Sequence, residues 1–131
     1  MLHKTKVMWV VAAVIAIGVL SGCYKDRTIV SDTGEEITRP VSFTNDIIPI
    51  FNKSCNGSGC HSTGGISPDL SAANAFLSLS GGGYFNTTNP QNSDLYLWMT
   101  GKKGTPMPLS GSDKDYNALV LAWIKQGALN N

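Results

Sequence analysis

Residues Cys55-Asn-Gly-Ser-Gly-Cys60-His61 bring two thiols and an imidazole into one short stretch of chain. Such a set can close a disulfide, contribute to a metal site, or attach haem covalently with the histidine as the iron's proximal ligand. The usual attachment spacing is C-x-x-C-H, whereas here Asn56 to Gly59 separate the cysteines. On a regular helix, cysteines three apart share a face and cysteines five apart diverge by about 140°. The added residues must therefore bulge outward, and Gly57 and Gly59 suit that because glycine reaches positive φ at little cost.

The compartment narrows the choice. Lys4 and Lys6, an apolar run from Val7 to Leu20, and small residues before Cys23 have the form of a secretory signal. The run is short for a membrane span, which needs about 20 residues. Leu20-Ser21-Gly22-Cys23 resembles the bacterial lipobox, in which the cysteine receives lipid and becomes the new N-terminus. The expectation is a signal peptide over 1–22, lipid on Cys23, and an extracytoplasmic protein tethered to a bacterial membrane, at the periplasmic face or cell surface. Multiple acyl chains make such an anchor stable. An uncleaved anchor with an incidental Cys23 is the alternative.

Cleavage would also remove His3, leaving His61 as the last histidine. Ligation of haem by two histidines of the chain is then excluded. Zinc would need a carboxylate to reach the usual four ligands, and no G-x-S-x-G elbow accompanies the histidine. Cys55 and Cys60 are left as a pair, which in an oxidising compartment is bridged or chemically capped. The net charge moves from +1 to −1 on loss of the two lysines, so nothing favours nucleic acid, which calls for a basic stripe.

Two methionines remain, Met99 and Met107. Met99 shares an apolar helical face with Leu95 and Trp98 and reads as core. Met107 sits between Pro106 and Pro108 in a polar loop, where a thioether has little packing reason to be. Proline fixes φ on either side, so the sulfur can be aimed, and His/Met ligation suits electron-transfer haem. An ordinary loop methionine is the plainer reading.

The elements that must position these groups are short. Residues 23–41 are polar and read as a tether. The folded unit, 42–131, opens with Phe43, Ile47, Ile50 and Phe51 at helical spacing, with Thr44 or Asn45 as cap. A Gly/Ser-rich passage from Ser62 to Pro68 precedes an apolar pattern from Leu70 to Leu79, which Ser80-Gly-Gly-Gly83 breaks; Asn86 to Asn92 is a loop. Ser93-Asp94 starts a short helix that Gly101 ends. The last helix has Ser112 as cap, Tyr116, Leu119, Val120, Trp123 and Ile124 as its buried stripe, and Gly127 as its stop. The class is all-α with long loops. So few helical positions bury little surface for the entropy lost, and small scaffolds of this kind often carry a cofactor or metal as a staple.

From Phe43 to Ala128 the chain resembles a class I cytochrome c domain, of the small single-haem type found in bacterial lipoproteins. Asp46-Ile-Ile-Pro-Ile-Phe51 is similar to that family's first helix, Gly101 through Pro108 to its distal Met-Pro loop, and Trp123-Ile-Lys-Gln-Gly127-Ala128 to its C-terminal helix. The resemblance implies a cytochrome c-like helical fold around one haem c, with the last helix crossing the first. It implies Cys55 and Cys60 as thioether attachment points, His61 as proximal and Met107 as distal iron ligand. Leu70, Trp98 and Met99 are candidate pocket walls. The implied role is an electron carrier rather than an enzyme, with redox partners such as a dehydrogenase or a terminal oxidase. Two other readings stay open. One is a haem-free structural or binding lipoprotein with a Cys55–Cys60 disulfide. The other is a haem protein without the Met107 bond, open to small ligands or peroxide.

Overall fold

The computed structural model describes residues 32–131. The signal peptide, Cys23 and the first part of the expected tether lie outside the described residues. Among the described residues the chain is helical and contains no strand, so the domain is all-α.

The first helical segment has an irregular start with an identifiable cause. A π-turn over Phe43–Ile47 runs directly into α1, Ile48–Ser54. Pro49, near the start of α1, has no N–H to give and its ring would press on the carbonyl four residues back. The wider π-turn relieves that conflict. Ser42, rather than Thr44 or Asn45, is the cap: its hydroxyl accepts from Asn45 N at 3.2 Å. Asp46 reaches back to accept from Ser42 N at 2.8 Å and pairs with Arg39 in a two-pronged contact. The remaining free amides of this turn are met from the far end of the sequence. Asn131 accepts from Phe43 N through Oδ1 and from Thr44 N through its main-chain oxygen, each at 2.8 Å.

Helix α2, Ala75–Gly81, follows the glycine-rich passage and stops where Gly82 and Gly83 begin. A short 3₁₀ turn, Pro90–Asn92, lies inside the expected loop. Helix α3, Asp94–Met99, buries Leu95, Tyr96 and Met99. Trp98, expected on that buried face, is 37% exposed. Its ring instead lies against Gly104, where a Cβ would sit 3.2 Å from Trp98 Cζ3.

Helix α4, Lys114–Lys125, is capped by Asp113, not Ser112: the Asp113 carboxylate accepts from Asp115 N and Tyr116 N, each at 3.0 Å. Ser112 is engaged elsewhere, accepting from Asn117 Nδ2 at 2.9 Å. Gly127 takes φ +102° and ends the helix, and Ala128 N returns to Trp123 O at 2.9 Å to close the terminus. Val120, Trp123 and Ile124 are buried as expected, while Tyr116 and Leu119 are half-buried. Asn117, Ala118, Leu121 and Ala122 are buried as well. The cause is the segment 32–41, read from sequence as part of the tether, which packs along this helix. Gly34 N donates to Lys114 O at 2.8 Å, Asn117 Nδ2 to Asp32 O at 2.8 Å, and Val41 N to Gln126 Oε1 at 2.8 Å.

The core joins the first and last helical segments. Phe43 stacks on Trp123 with centroids 5.1 Å apart and meets Phe76 of α2 edge-on at 5.4 Å. Phe85 meets Trp123 edge-on at 5.2 Å, and Trp123 Nε1 donates to Leu129 O at 2.9 Å. Edge-on and tilted ring pairs of this kind add about 0.5–1.5 kcal/mol each beyond their buried area.

Candidate functional site

The loop from Cys55 to Leu70 is held by its own main chain. Cys55 N and Asn56 N both return to Phe51 O at 2.9 Å, ending α1. Cys60 N donates to Gly57 O at 2.9 Å, so the four intervening residues fold into a turn, and His61 N reaches back to Cys55 O at 3.1 Å. Of the two glycines expected to permit the bulge, Gly59 takes positive φ, +77°, and Gly57 does not. Both stand in open space. The insertion thus projects outward without separating His61 from the first cysteine. Beyond it, Ile66 N donates to Cys60 O at 2.8 Å and Leu70 N to His61 O at 2.7 Å.

These bonds bring two carbonyl oxygens to the imidazole. His61 Nδ1 lies 3.1 Å from Ile66 O and 3.1 Å from Pro68 O. Carbonyl oxygens only accept, so Nδ1 carries the ring proton and donates it between them. In the neutral ring the lone pair is then on the other nitrogen, Nε2. A ligating histidine takes this arrangement, its second nitrogen donating to a carbonyl that fixes the tautomer and raises ligand basicity.

The two thiols differ. Cys55 is half-buried and Cys60 exposed, and neither is bridged. Burial pushes the Cys55 thiol up to about 11, with neighbouring Cys60 adding to the rise. At neutral pH Cys55 is therefore a protonated, weakly nucleophilic sulfur.

Met107 is carried by a separate loop. Gly101, at φ +75°, turns the chain out of α3. Trp98 O then accepts from both Gly101 N at 3.2 Å and Met107 N at 3.0 Å, which fixes the loop to the helix end. Lys102 and Lys103 tie the same loop down through ion pairs with Asp32 and Asp94.

Both loops open onto one cavity of about 480 Å³. Cys55, Cys60, His61 and Met107 all line it, and so do the three expected walls, Leu70, Trp98 and Met99. Phe51, Leu95 and Tyr84 line it too, with Ile66 and Leu109 at its exposed side. Its size is within the range of small-molecule and cofactor sites, about 300–1,000 Å³, and like them it is apolar with a few polar groups. Sequence reasoning missed Tyr84, Ile66 and Leu109 because they stand outside any periodic pattern. It missed the Ile66 and Pro68 carbonyls because a main-chain oxygen leaves no mark on residue type.

The donor set fits a covalently held haem: two thiols beside one imidazole with a free Nε2, a thioether on a separate loop, and apolar side chains between them. Among the described residues no cluster of three or more Cys, His, Asp or Glu is placed to hold a bare metal ion. A second cleft, of about 350 Å³ between residues 33–37 and α4, contains no cysteine, histidine or methionine. Compared with known proteins, the chain matches no family model, no curated sequence and no solved structure.

Proposed function

We propose that this chain is a membrane-tethered, single-haem c-type cytochrome that carries single electrons between redox partners outside the cytoplasm. One observation carries the reading. Cys55, Cys60, His61 and Met107, drawn from two loops, line a single apolar cavity, and His61 has its Nδ1 committed to two carbonyls. Cys55 and Cys60 are the residues that would hold the macrocycle, and His61 Nε2 and Met107 Sδ those that would hold its iron. The group supplies reversible one-electron transfer between Fe(II) and Fe(III) when bound. The protein's part is to orient the imidazole, present the thioether and exclude water with Phe51, Leu70, Leu95 and Met99. No carboxylate, hydroxyl or amine among the lining residues is arranged as an acid–base pair for a substrate, and a carrier role suits that wall. A dehydrogenase upstream or a terminal oxidase downstream is the class of partner proposed, with lipid on Cys23 as the membrane attachment.

The test is an absorption spectrum of the full chain from a host competent for cytochrome c maturation, oxidised and then dithionite-reduced. A sharp reduced α-band that survives acid-acetone extraction is expected. In Met107→Ala the weak sulfur-to-iron band should vanish and the reduction potential fall, because methionine ligation raises it. A colourless protein from that host sinks the reading and leaves the haem-free alternative, with a Cys55–Cys60 disulfide that reductant would open.

A further inference from the structure

The Pro68 carbonyl that receives the His61 ring proton belongs to a peptide group whose other end is also engaged. The N–H of that group, on Asp69, donates to Ser78 Oγ at 2.9 Å. Ser78 lies within α2. A serine in a helix interior commonly turns its hydroxyl back to a carbonyl of its own helix, weakening it slightly. Here the hydroxyl receives an amide from outside the helix. Its position thus has a reason that helix propensity does not give.

We propose that Ser78 is a positioning residue for His61, acting through the Pro68–Asp69 peptide. The imidazole Nδ1–H, the Pro68 carbonyl, the Asp69 amide and Ser78 Oγ form one hydrogen-bonded chain from the ring to α2. The proposal rests on the reading of His61 as an axial ligand. Within one peptide unit the carbonyl and amide are conjugated, so a partner at the N–H makes the oxygen a stronger acceptor, by about 10–30% per bond.

The rest of the segment is fixed on both sides. Asp69 Oδ1 accepts from Ser71 N and Oδ2 from Asn74 Nδ2, each at 2.9 Å. The Ser71 hydrogen bonds hold the Asp69 carboxyl well below the usual carboxylate range, so this clamp stays ionised at neutral pH. Leu70 N binds His61 O at 2.7 Å. Among the described residues, Ser78 is the side chain that meets this peptide group from the side opposite to His61, at its N–H rather than its carbonyl. It sets how firmly the proton is held on Nδ1, and through that how basic Nε2 is as a donor.

The readout is the solvent-exchange rate of the His61 Nδ1 proton, measured by ¹⁵N-edited NMR on the full chain as isolated, reduced where it carries haem. Ser78→Ala should speed exchange about tenfold, and Ser78→Thr, which keeps the hydroxyl, should restore the wild-type rate within about twofold. In haem-bearing protein the Ala variant should also shift the reduction equilibrium about threefold toward Fe(II), because a less electron-rich imidazole stabilises Fe(III) less. That shift is roughly 28 mV for one electron. Unchanged exchange in Ser78→Ala, or the same rate in the Ala and Thr variants, overturns the proposal. If Ser78→Ala does not fold, Ser78→Cys is read the same way: a thiol is a weak acceptor for the Asp69 N–H, about threefold faster exchange is expected, and no change is equally fatal. A colourless wild type with the predicted exchange pattern sinks the cofactor reading and keeps the Ser78 chain, whereas a coloured one with no pattern does the reverse.

Discussion

Around Trp123 the domain is held by side chains: Phe43 and Phe85 pack on the indole, Phe51 and Phe76 pack on Phe43, and Ile47, Val120 and Ile124 belong to the same core cluster. Around His61 it is held by main-chain hydrogen bonds, from Cys55 O to Leu70 N, and the side chains line a cavity. The aromatic end uses its apolar groups against each other. The loop end spends few of them on mutual packing, and its shape comes from turns that glycine and proline permit. A region built by backbone can present thiols, an imidazole and a thioether to one space without filling it. Packing and the capacity to bind are thereby weighted toward opposite ends of one continuous core, with Phe51 common to both, in a domain that has little surface to bury.

Substitutions at the two ends should separate these roles. The largest effect is expected for Trp123→Ala. The side chain is 1% exposed, and truncating a buried Trp costs about 3–5 kcal/mol. Urea unfolding of the full chain should show most of its stability gone; a loss under about 1 kcal/mol would break the contrast between the two ends. Gly65→Ala acts on the loop end. A Cβ there would collide with the Cys60 carbonyl oxygen and crowd that of Ser62. The expected cost is about 1–3 kcal/mol, as for other overpacked sites. It should come with a disturbed His61 imidazole NMR signal, because Ile66 N is bonded to the same Cys60 oxygen. Normal stability and an unaltered His61 signal would mean that the loop is not held as described.

The smallest effect is electrostatic and belongs to the helical end. The Arg39 hydrogen bonds, helped by Ser42 N, hold the Asp46 carboxyl below its ordinary value. A depressed carboxyl stabilises the fold above its unfolded pKa, about 3.9, and that contribution is lost as pH falls through the lower folded value. Asp46→Asn should therefore cost about 1 kcal/mol or less at pH 7, the pair being partly screened by solvent. Its stability should fall less than that of the wild type between about pH 5 and pH 2. Parallel wild-type and variant curves across that window would count against a stabilising role for Asp46.

Much of the helical end was legible in the sequence because its signals are local. Gly127 stops α4 as expected, since a positive-φ terminus is a single-residue property. The cap shifted by one residue, from Ser112 to Asp113, because two good capping side chains were adjacent and a hydrogen bond from Asn117, one turn into the helix, claimed the serine. Tyr96 was missed as a core residue and Trp98 misplaced, because a helix as short as α3 gives periodicity too few positions to decide its face. At the loop end the candidate ligands could be listed by type. Their meeting at one cavity was expected only through the family resemblance and not from the residues themselves, since Met107 and His61 are brought together by turns whose hydrogen bonds are almost all main chain.

The sequence alone determined which chemical groups the domain carries and in what order: two thiols and an imidazole, then a thioether between prolines, with a capped and glycine-terminated helix at the end. Those properties depend on residue type or on neighbours within one helical turn. Only the tertiary structure decided that the first turn is completed by Asn131 from across the chain, and that residues 32–41 belong to the wall of α4. It also decided that His61 keeps its proton on Nδ1. The physical reason is common to all three. Each rests on a main-chain donor or acceptor, which nearly every residue possesses alike, and folding alone selects which of them meet.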